Sequence, residues 1–463
     1  MFKRVSGWLT GLDPTRFFLL IASVFGLLFL LITPPFQGAD EIVHFYRGYQ
    51  VSEFNLVSDQ SKQGTGGLLP KSLGKTVAVT NSPVIAFYPQ NKYDIYKTNG
   101  ELHTPSRPED KKFYNFSSSA TYSPVPYAGV SSGILVARGL NLPPVTAMHA
   151  GRLGNLLAWL ALVAASIASI PRRKWVLVAI GLLPMALFQA STLNGDAITN
   201  GSLLLFIALI LKYRENKKPL KQRQLLLLML LGIIMVLSKQ VMFIFLPLLF
   251  LLKKPLFHTV KQAYIWRLAL GLVPLIFFLI WMYLTRGIDS SNQQDAQAQF
   301  DFIFHNPHSF INVLWNTYFF TWGDSIIRSF IGVFGWADAP LSELIVLIGY
   351  LGLAILFVGN YTPKRLAWLN KREQLSIWLL MALYFLAVSV SLYLYYSPVG
   401  FKIIYGLQGR YFIPIAILAV LVVQSNSIKI SRQLYMSVAR LLPIFLLTAS
   451  LITIYVRYFV SNV

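Results

Sequence analysis

Asp40 and Glu41 are adjacent carboxylates a few residues beyond the first long apolar stretch of the chain. At helical spacing Asp40, His44 and Arg47 share one face of residues 39–54, and Ile42, Phe45 and Tyr49 form an opposite apolar stripe. That pattern predicts a helix lying at a membrane surface, its polar face turned to a cavity or to solvent. Each polar residue has a plain reading and a chemical one. Asp40 either caps its helix or removes a proton from an acceptor hydroxyl as a general base, with Glu41 the weaker candidate. His44 is a packing histidine or a ligand contact. Arg47 either snorkels or faces a phosphate, to which a guanidinium is suited.

Other candidates lie far away in the chain. Asp196 opens an apolar run after Ser191-Thr192-Leu193-Asn194-Gly195, as a cap or as a functional acid. Lys239 is the lone charge in a tight turn between two apolar runs. Lys402 and Arg410 lie in SPVGFKIIYGLQGRYF, where anion binding or chance placement would explain them. Arg152 sits near the end of a span, where it could snorkel. A divalent metal could bind between Asp40, Glu41 and Asp196, but no ligand spacing requires one. With no cysteine, thiol nucleophiles, zinc knuckles and iron–sulfur clusters are excluded. The phosphate-cradling GxxxxGK[ST] pattern is absent.

The elements that must position these residues follow from composition. The chain has 463 residues, 55% hydrophobic and only 13% charged, against about 25% charged in soluble domains. This is an all-α polytopic membrane protein, read as a single integral-membrane domain over residues 1–463. A span needs about 20 apolar residues, and eleven candidates emerge: 17–35, 146–170, 174–191, 196–211, 224–238, 240–252, 266–284, 341–358, 375–396, 411–424 and 439–459. The first follows Lys3, Arg4 and Arg16 and lacks a small-residue cleavage site, so it reads as an uncleaved anchor. Residues 123–139 are ambiguous between a span and an interfacial helix. The positive-inside rule favours the interfacial reading. With eleven spans and a cytoplasmic N-terminus, 23 of the 40 Lys and Arg face inward, opposed only by Asp13, Glu215 and Glu373. Of the net charge of +22, +20 is then topological and does not indicate nucleic acid. The C-terminus is expected outside.

Two outer segments, 36–145 and 285–340, are too long to be connectors of about 2–8 residues, and long loops on a rigid scaffold carry function. Residues 55–120 read as mostly irregular, with KTVAVT (75–80) alternating like a strand. The second segment carries Trp315, Tyr318, Phe319, Phe320, Trp322 and Trp336, which favour the headgroup level. Interfacial helices are expected there, bracketed by Asp324, Arg328 and Asp338. The spans hold few ionisable groups, whereas ion-coupled transporters need them at mid-membrane depth. A substrate that arrives from the membrane itself fits this distribution.

TPPFQGADEIVHFYRGYQ (33–50), TYSPVPY (121–127), GRLGNLL (151–157), LLPMALFQASTLNGDAITN (182–200), LSKQ (237–240), FGWADAP (334–340) and GLQGRYFIP (406–414) resemble, in order, a bacterial polytopic family of unknown function, number 2142. Ile42 stands where many members have proline. That family is similar to the GT-C class of integral-membrane glycosyltransferases. The resemblance implies a multi-helix scaffold, an acidic base early in a large first outer loop, and inverting transfer of a sugar from a polyprenyl phosphate or diphosphate carrier. Asp40 would then be the base at the outer face of a bacterial plasma membrane, acting for a cell-envelope glycan or glycopolymer acceptor. Arg47, Lys239 or Arg410 would hold the carrier phosphate; Tyr122, Gln189, Gln408 and Tyr411 would orient hydroxyls; His44, Arg152 and Asp196 complete the expected donor site. The alternatives are a flippase for lipid-linked oligosaccharide, and a polymerase or ligase of surface polysaccharide.

Overall fold

The computed structural model describes residues 11–80, 82–216, 218–288, 295–359, 361, 369–423 and 428–460. Lys3, Arg4, Lys217, Lys364 and Arg365, which enter the charge asymmetry, lie outside the described residues. The fold is mostly helical. Six helices are long and apolar enough to cross a membrane: α1 (Pro14–Ile32), α2 (Pro144–Ser169), α3 (Asp196–Asn216), α4 (Val260–Leu284), α5 (Lys371–Tyr396) and α6 (Arg432–Phe459). Helix α3 is the central one, 83% buried over its most apolar window, and α4 is peripheral, 11% buried.

The other expected spans fall on shorter or interrupted elements, each with a local cause. Residues 174–191 form two helices, Lys174–Gly181 and Pro184–Ala190, because Pro184 cannot continue the first. Residues 240–252 wind as a 3₁₀ helix, Gln240–Leu251, around an internal Pro247. Residues 411–424 begin as a 3₁₀ segment, Gly409–Ile415, containing Pro414, and continue as a short α-helix, Ala416–Val422. Gln222–Ser238 and Glu343–Val358 are single apolar helices of 17 and 16 residues.

The ambiguous stretch 123–139 is a 3₁₀ turn, Val125–Tyr127, followed by a helix of 12 residues, Ala128–Gly139. At 1.5 Å per residue that helix reaches about 18 Å, short of the roughly 30 Å hydrocarbon core. It packs antiparallel on α2 through small residues. A Cβ on Gly133 would strike the carbonyl oxygen of Ala150, and one on Gly154 would strike that of Gly129.

Residues 55–120 are more ordered than the sequence suggests. They carry an antiparallel sheet of β1 (Asp59–Ser61), β2 (Gly64–Pro70) and β3 (Lys111–Asn115), with β2 in the middle. The expected strand at 75–80 is instead part of a helix, Lys71–Val79. Its buried residues Ser72, Leu73, Thr76 and Val77 follow helical spacing, so tertiary burial overrides the local alternation. The second long segment contains the helices Ala296–His305, Pro307–Trp315 and Gly323–Ile331. Trp315, Phe319 and Phe320 are exposed there.

Two sets of contacts define opposite ends of the bundle. At one end Arg172 pairs with Glu215 at 2.6 Å, Arg214 grips both oxygens of Glu373 at 2.8 and 2.9 Å, and Arg173 donates to the Gly359 carbonyl at 2.8 Å. At the other, Arg457 pairs with Asp338 at 2.6 Å and donates to the carbonyls of Ile85 and Asn91 at 2.7 and 3.1 Å. Trp336 donates its indole N–H to the Phe36 carbonyl at 3.3 Å. Both long segments and the end of α6 therefore meet on one side.

Because the hairpin of Ala128–Gly139 and α2 rests on backbone-to-backbone approach, Gly133→Leu is expected to destabilise the protein by at least about 3 kcal/mol. Ser132→Ala, on the exposed side of the same helix, should shift stability by less than about 0.5 kcal/mol. Denaturant titration in detergent measures both.

Candidate functional site

The site grows from a buried ion pair. Glu41 and Arg152, 111 residues apart, meet with both side chains fully buried. Arg152 Nε and Nη2 donate to the two Glu41 oxygens at 2.7 and 2.6 Å. The backbone N–H groups of Gly38 and Leu193, each at 3.0 Å, complete four donors to that carboxylate. The remaining Arg152 N–H groups go to the carbonyls of Leu30, Thr33 and Pro34 at 3.1, 2.7 and 2.9 Å. These carbonyls at the end of α1 have no helical partner, so Arg152 caps α1 while holding the next helix, Glu41–Ser52. Burial raises the Glu41 carboxyl, but the Arg152 charge and hydrogen bonds outweigh it and hold the group below its ordinary value. Glu41 is thus unavailable as a base and Arg152 as a phosphate ligand; both expectations are corrected.

The pair imposes an awkward turn before the helix. Gly38 lies against Thr192 and the Glu41 carboxyl, where any side chain would collide. Phe36 and Asp40 both adopt left-handed backbone, φ 61° and 59°. Asp40 stands at the N-cap position, yet its side chain makes no capping hydrogen bond. It is exposed, and no ion pair involves it among the described residues. The capping reading of Asp40 is therefore overturned.

His44, one turn on, places Nδ1 2.6 Å from the Tyr127 hydroxyl, with the Tyr122 ring 6.5 Å from its own. Burial pushes the imidazole below its ordinary value, against the pull of Asp40 and Asp196, so the ring is neutral at pH 7. Burial also raises the phenols of Tyr122 and Tyr127, which stay protonated.

Asp196 approaches from the start of α3. Its Oδ2 accepts from Gln189 Nε2 at 3.1 Å, and its backbone N–H donates to Asn194 Oδ1 at 2.9 Å. Asn194 Nδ2 returns to the Gln189 carbonyl at 2.6 Å and to Gln189 Oε1 at 3.4 Å, closing the circuit. Gln189 thus fixes Asp196. Thr192 and Leu193 in the same turn are tied to Asn155 and Glu41 at 2.8 and 3.0 Å. The charge of Asp196 is felt by His44, Tyr122, Tyr127, Tyr384 and Arg410. That of Asp40 is felt by His44, Tyr127, Tyr396 and Arg410. Both carboxylates therefore lie within electrostatic reach of His44, Tyr127 and Arg410.

Two cations lie beside the Tyr411 ring. Arg410 is 9% exposed, and its Nε has no acceptor. No carboxylate lies within ion-pairing distance of it among the described residues. Gly409 beside it donates to Ser329 Oγ at 2.7 Å and packs against the backbone of Gly323–Ile331, so the second long segment sets its position. Lys239 ends Gln222–Ser238 and lies 4.8 Å over the Tyr411 ring, whose other neighbour is Arg410 at 5.4 Å.

Arg47 does not join this group, and no side-chain bond ties Gln408 or Lys402 to it among the described residues. Arg47 is fully buried and donates to Gln50 Oε1 at 2.5 Å and to the carbonyls of Leu56 and Tyr122 at 2.7 and 2.8 Å. It ties the first long segment together through its terminal nitrogens. The helix Glu41–Ser52 is accordingly no surface helix: from Phe45 to Ser52 every residue is buried. Gln408 gives its carbonyl to the Tyr411 N–H at 3.2 Å, and Lys402 is exposed. With Glu41 committed, a metal between Asp40, Glu41 and Asp196, which the sequence permits without requiring, would lack one ligand; no group of three His, Asp or Glu is placed to hold a metal among the described residues. Tyr127, Tyr384 and Tyr396 escaped notice in the sequence; TYSPVPY ends on the first, but only the fold singles them out from 23 tyrosines.

Arg152→Ala is expected to destabilise the protein by about 3–5 kcal/mol, because it leaves a buried carboxylate unpaired. Asp40→Gly should instead stabilise it by about 1 kcal/mol, since left-handed backbone suits glycine and no contact is lost. Unfolding midpoints in detergent distinguish the two carboxylates' roles.

No curated protein and no solved structure matches the chain. Residues 23–419, which include Asp40, His44, Asp196, Lys239 and Arg410, match the family described as a predicted membrane protein (DUF2142), and the chain belongs to that family.

Proposed function

We propose that this protein is a membrane glycosyltransferase of GT-C type that moves a sugar from a polyprenyl-phosphate carrier to a cell-envelope glycan or glycopolymer. The observation that carries the reading is an uncommitted carboxylate, Asp40, in electrostatic reach of a buried arginine, Arg410, that has no carboxylate partner. Buried charges are ordinarily paired, so an unpaired Arg410 fits a ligand that brings its own anion. Asp40 takes the proton of the acceptor hydroxyl as the oxygen attacks the anomeric carbon. The bond to the carrier phosphate breaks, and Arg410 and Lys239 hold the departing oxyanion, the kind of stabilisation that is usually the largest single contribution. Attack from the Asp40 side, opposite the phosphate, inverts the anomeric centre.

The charge distribution supports an arrangement of eleven spans with the Arg172, Arg173 and Arg214 end in the cytoplasm. The N-terminus is then inside, and the site and C-terminus face outward from a bacterial plasma membrane. A lipid-borne donor reaches the site laterally, without a nucleotide.

Asp40→Asn is expected to lower turnover of a polyprenyl-phosphate sugar by about 10²–10⁴-fold. Arg410→Ala is expected to lower it by about 10²–10³-fold. Radiolabelled donor in detergent measures both, and undiminished turnover in a well-folded Asp40→Asn protein would remove the base. Detergent also separates an enzyme, which still consumes donor, from a flippase, which needs sealed vesicles.

A further inference from the structure

Charges of both signs gather at the site. Arg410 and Lys239 flank one tyrosine ring, Tyr411. Asp40 and Asp196 lie where both act on His44 and Arg410. Asp196 is held rigidly, since Gln189 binds Oδ2 and Asn194 braces both Gln189 and the Asp196 backbone. No donor reaches Asp196 Oδ1 among the described residues, and no ion pair neutralises either acid there. The acids are not alone as evidence of a ligand. Arg410, more than nine-tenths buried, keeps an Nε with no acceptor and lies within electrostatic reach of both acids.

The proposed function assigns the cations to a phosphate. The carboxylates are then left facing the sugar ring. A carboxylate accepts hydrogen bonds from vicinal hydroxyls, and it repels another carboxylate. We infer that Asp196 is a specificity-determining residue that binds hydroxyls of the transferred sugar, and that with Asp40 it restricts the donor to sugars without an acidic group, excluding uronic acids. This rests on the carrier-sugar reading above. It adds a repulsive element to the attractive ones, the usual way a site rejects a near-isostere. His44 is neutral and packs on Tyr127, so it offers a uronate no compensating charge.

The test uses the full-length protein in detergent with two sets of synthetic polyprenyl phosphates. One set carries gluco-, manno- or galacto-configured hexoses. The other carries the same sugars oxidised at C6 to uronates. Binding is read by competition, independently of turnover. The best hexose donor is expected to bind at least about 10²-fold tighter than its uronate. Asp196→Asn is expected to weaken the hexose about tenfold and to narrow the gap, because the uronate loses a repulsion. Equal or tighter binding of the uronate by the wild-type protein overturns the inference and leaves the glycosyltransferase reading standing. A wide gap unchanged in a folded Asp196→Asn protein removes Asp196 from the role. Failure of every carrier-linked sugar, with bare polyprenyl phosphate also unbound, overturns the carrier-sugar reading and this inference with it.

Discussion

The buried pair of Glu41 and Arg152 is the constraint from which the rest of the site follows. Two opposite charges removed from water are stable only when every lone pair and proton is satisfied. Here four donors converge on Glu41, and all five N–H groups of Arg152 find acceptors. In meeting that demand the pair joins the end of α1, the start of Glu41–Ser52, the middle of α2 and the turn before α3. Asp40 and Asp196 are each within three residues of a group bonded to Glu41 or Arg152. Their mutual placement is thus inherited from a structural contact that takes no part in chemistry.

The same pair explains how two neighbouring acids take opposite roles. Glu41 points inward and is fully coordinated. Asp40 points outward from a left-handed turn, unbonded. Strained backbone at a non-glycine residue persists where the surroundings over-determine it, and here they do: Gly38, Thr192 and Glu41 crowd one side, and the helix begins immediately on the other. The tension between stability and a useful carboxylate is local and visible.

Much of the helical frame is legible from apolar runs, because a long uninterrupted one such as Pro14–Ile32 leaves the chain few alternatives. Prolines 184, 247 and 414 marked where runs break, but the resulting 3₁₀ geometry depends on neighbours that no local pattern reveals. Asp196, Lys239 and Arg410 depart from an apolar or charge trend; the charges of Asp196 and Arg410 act on His44, and Lys239 shares the Tyr411 ring with Arg410. Arg47 and Arg152 departed from the trend too, yet each is committed to backbone carbonyls. Arg152 spends all five of its N–H groups, whereas Arg47, like Arg410, keeps an Nε with no acceptor, a difference that no local pattern reveals. The helix at Lys71–Val79 was hidden for a related reason: its alternation is weaker than the pull of Leu73 and Val77 toward the core.

The central claim is that the end bearing Asp40 opens outward while the basic end lies in the cytoplasm. The chain has no cysteine, so single-cysteine labelling reads each position without background. Asp40→Cys and Asn216→Cys, at exposed positions on opposite ends, would be treated with a membrane-impermeant maleimide in sealed cells. The account predicts that the first labels in intact cells and the second only after permeabilisation. The reverse pattern would contradict it.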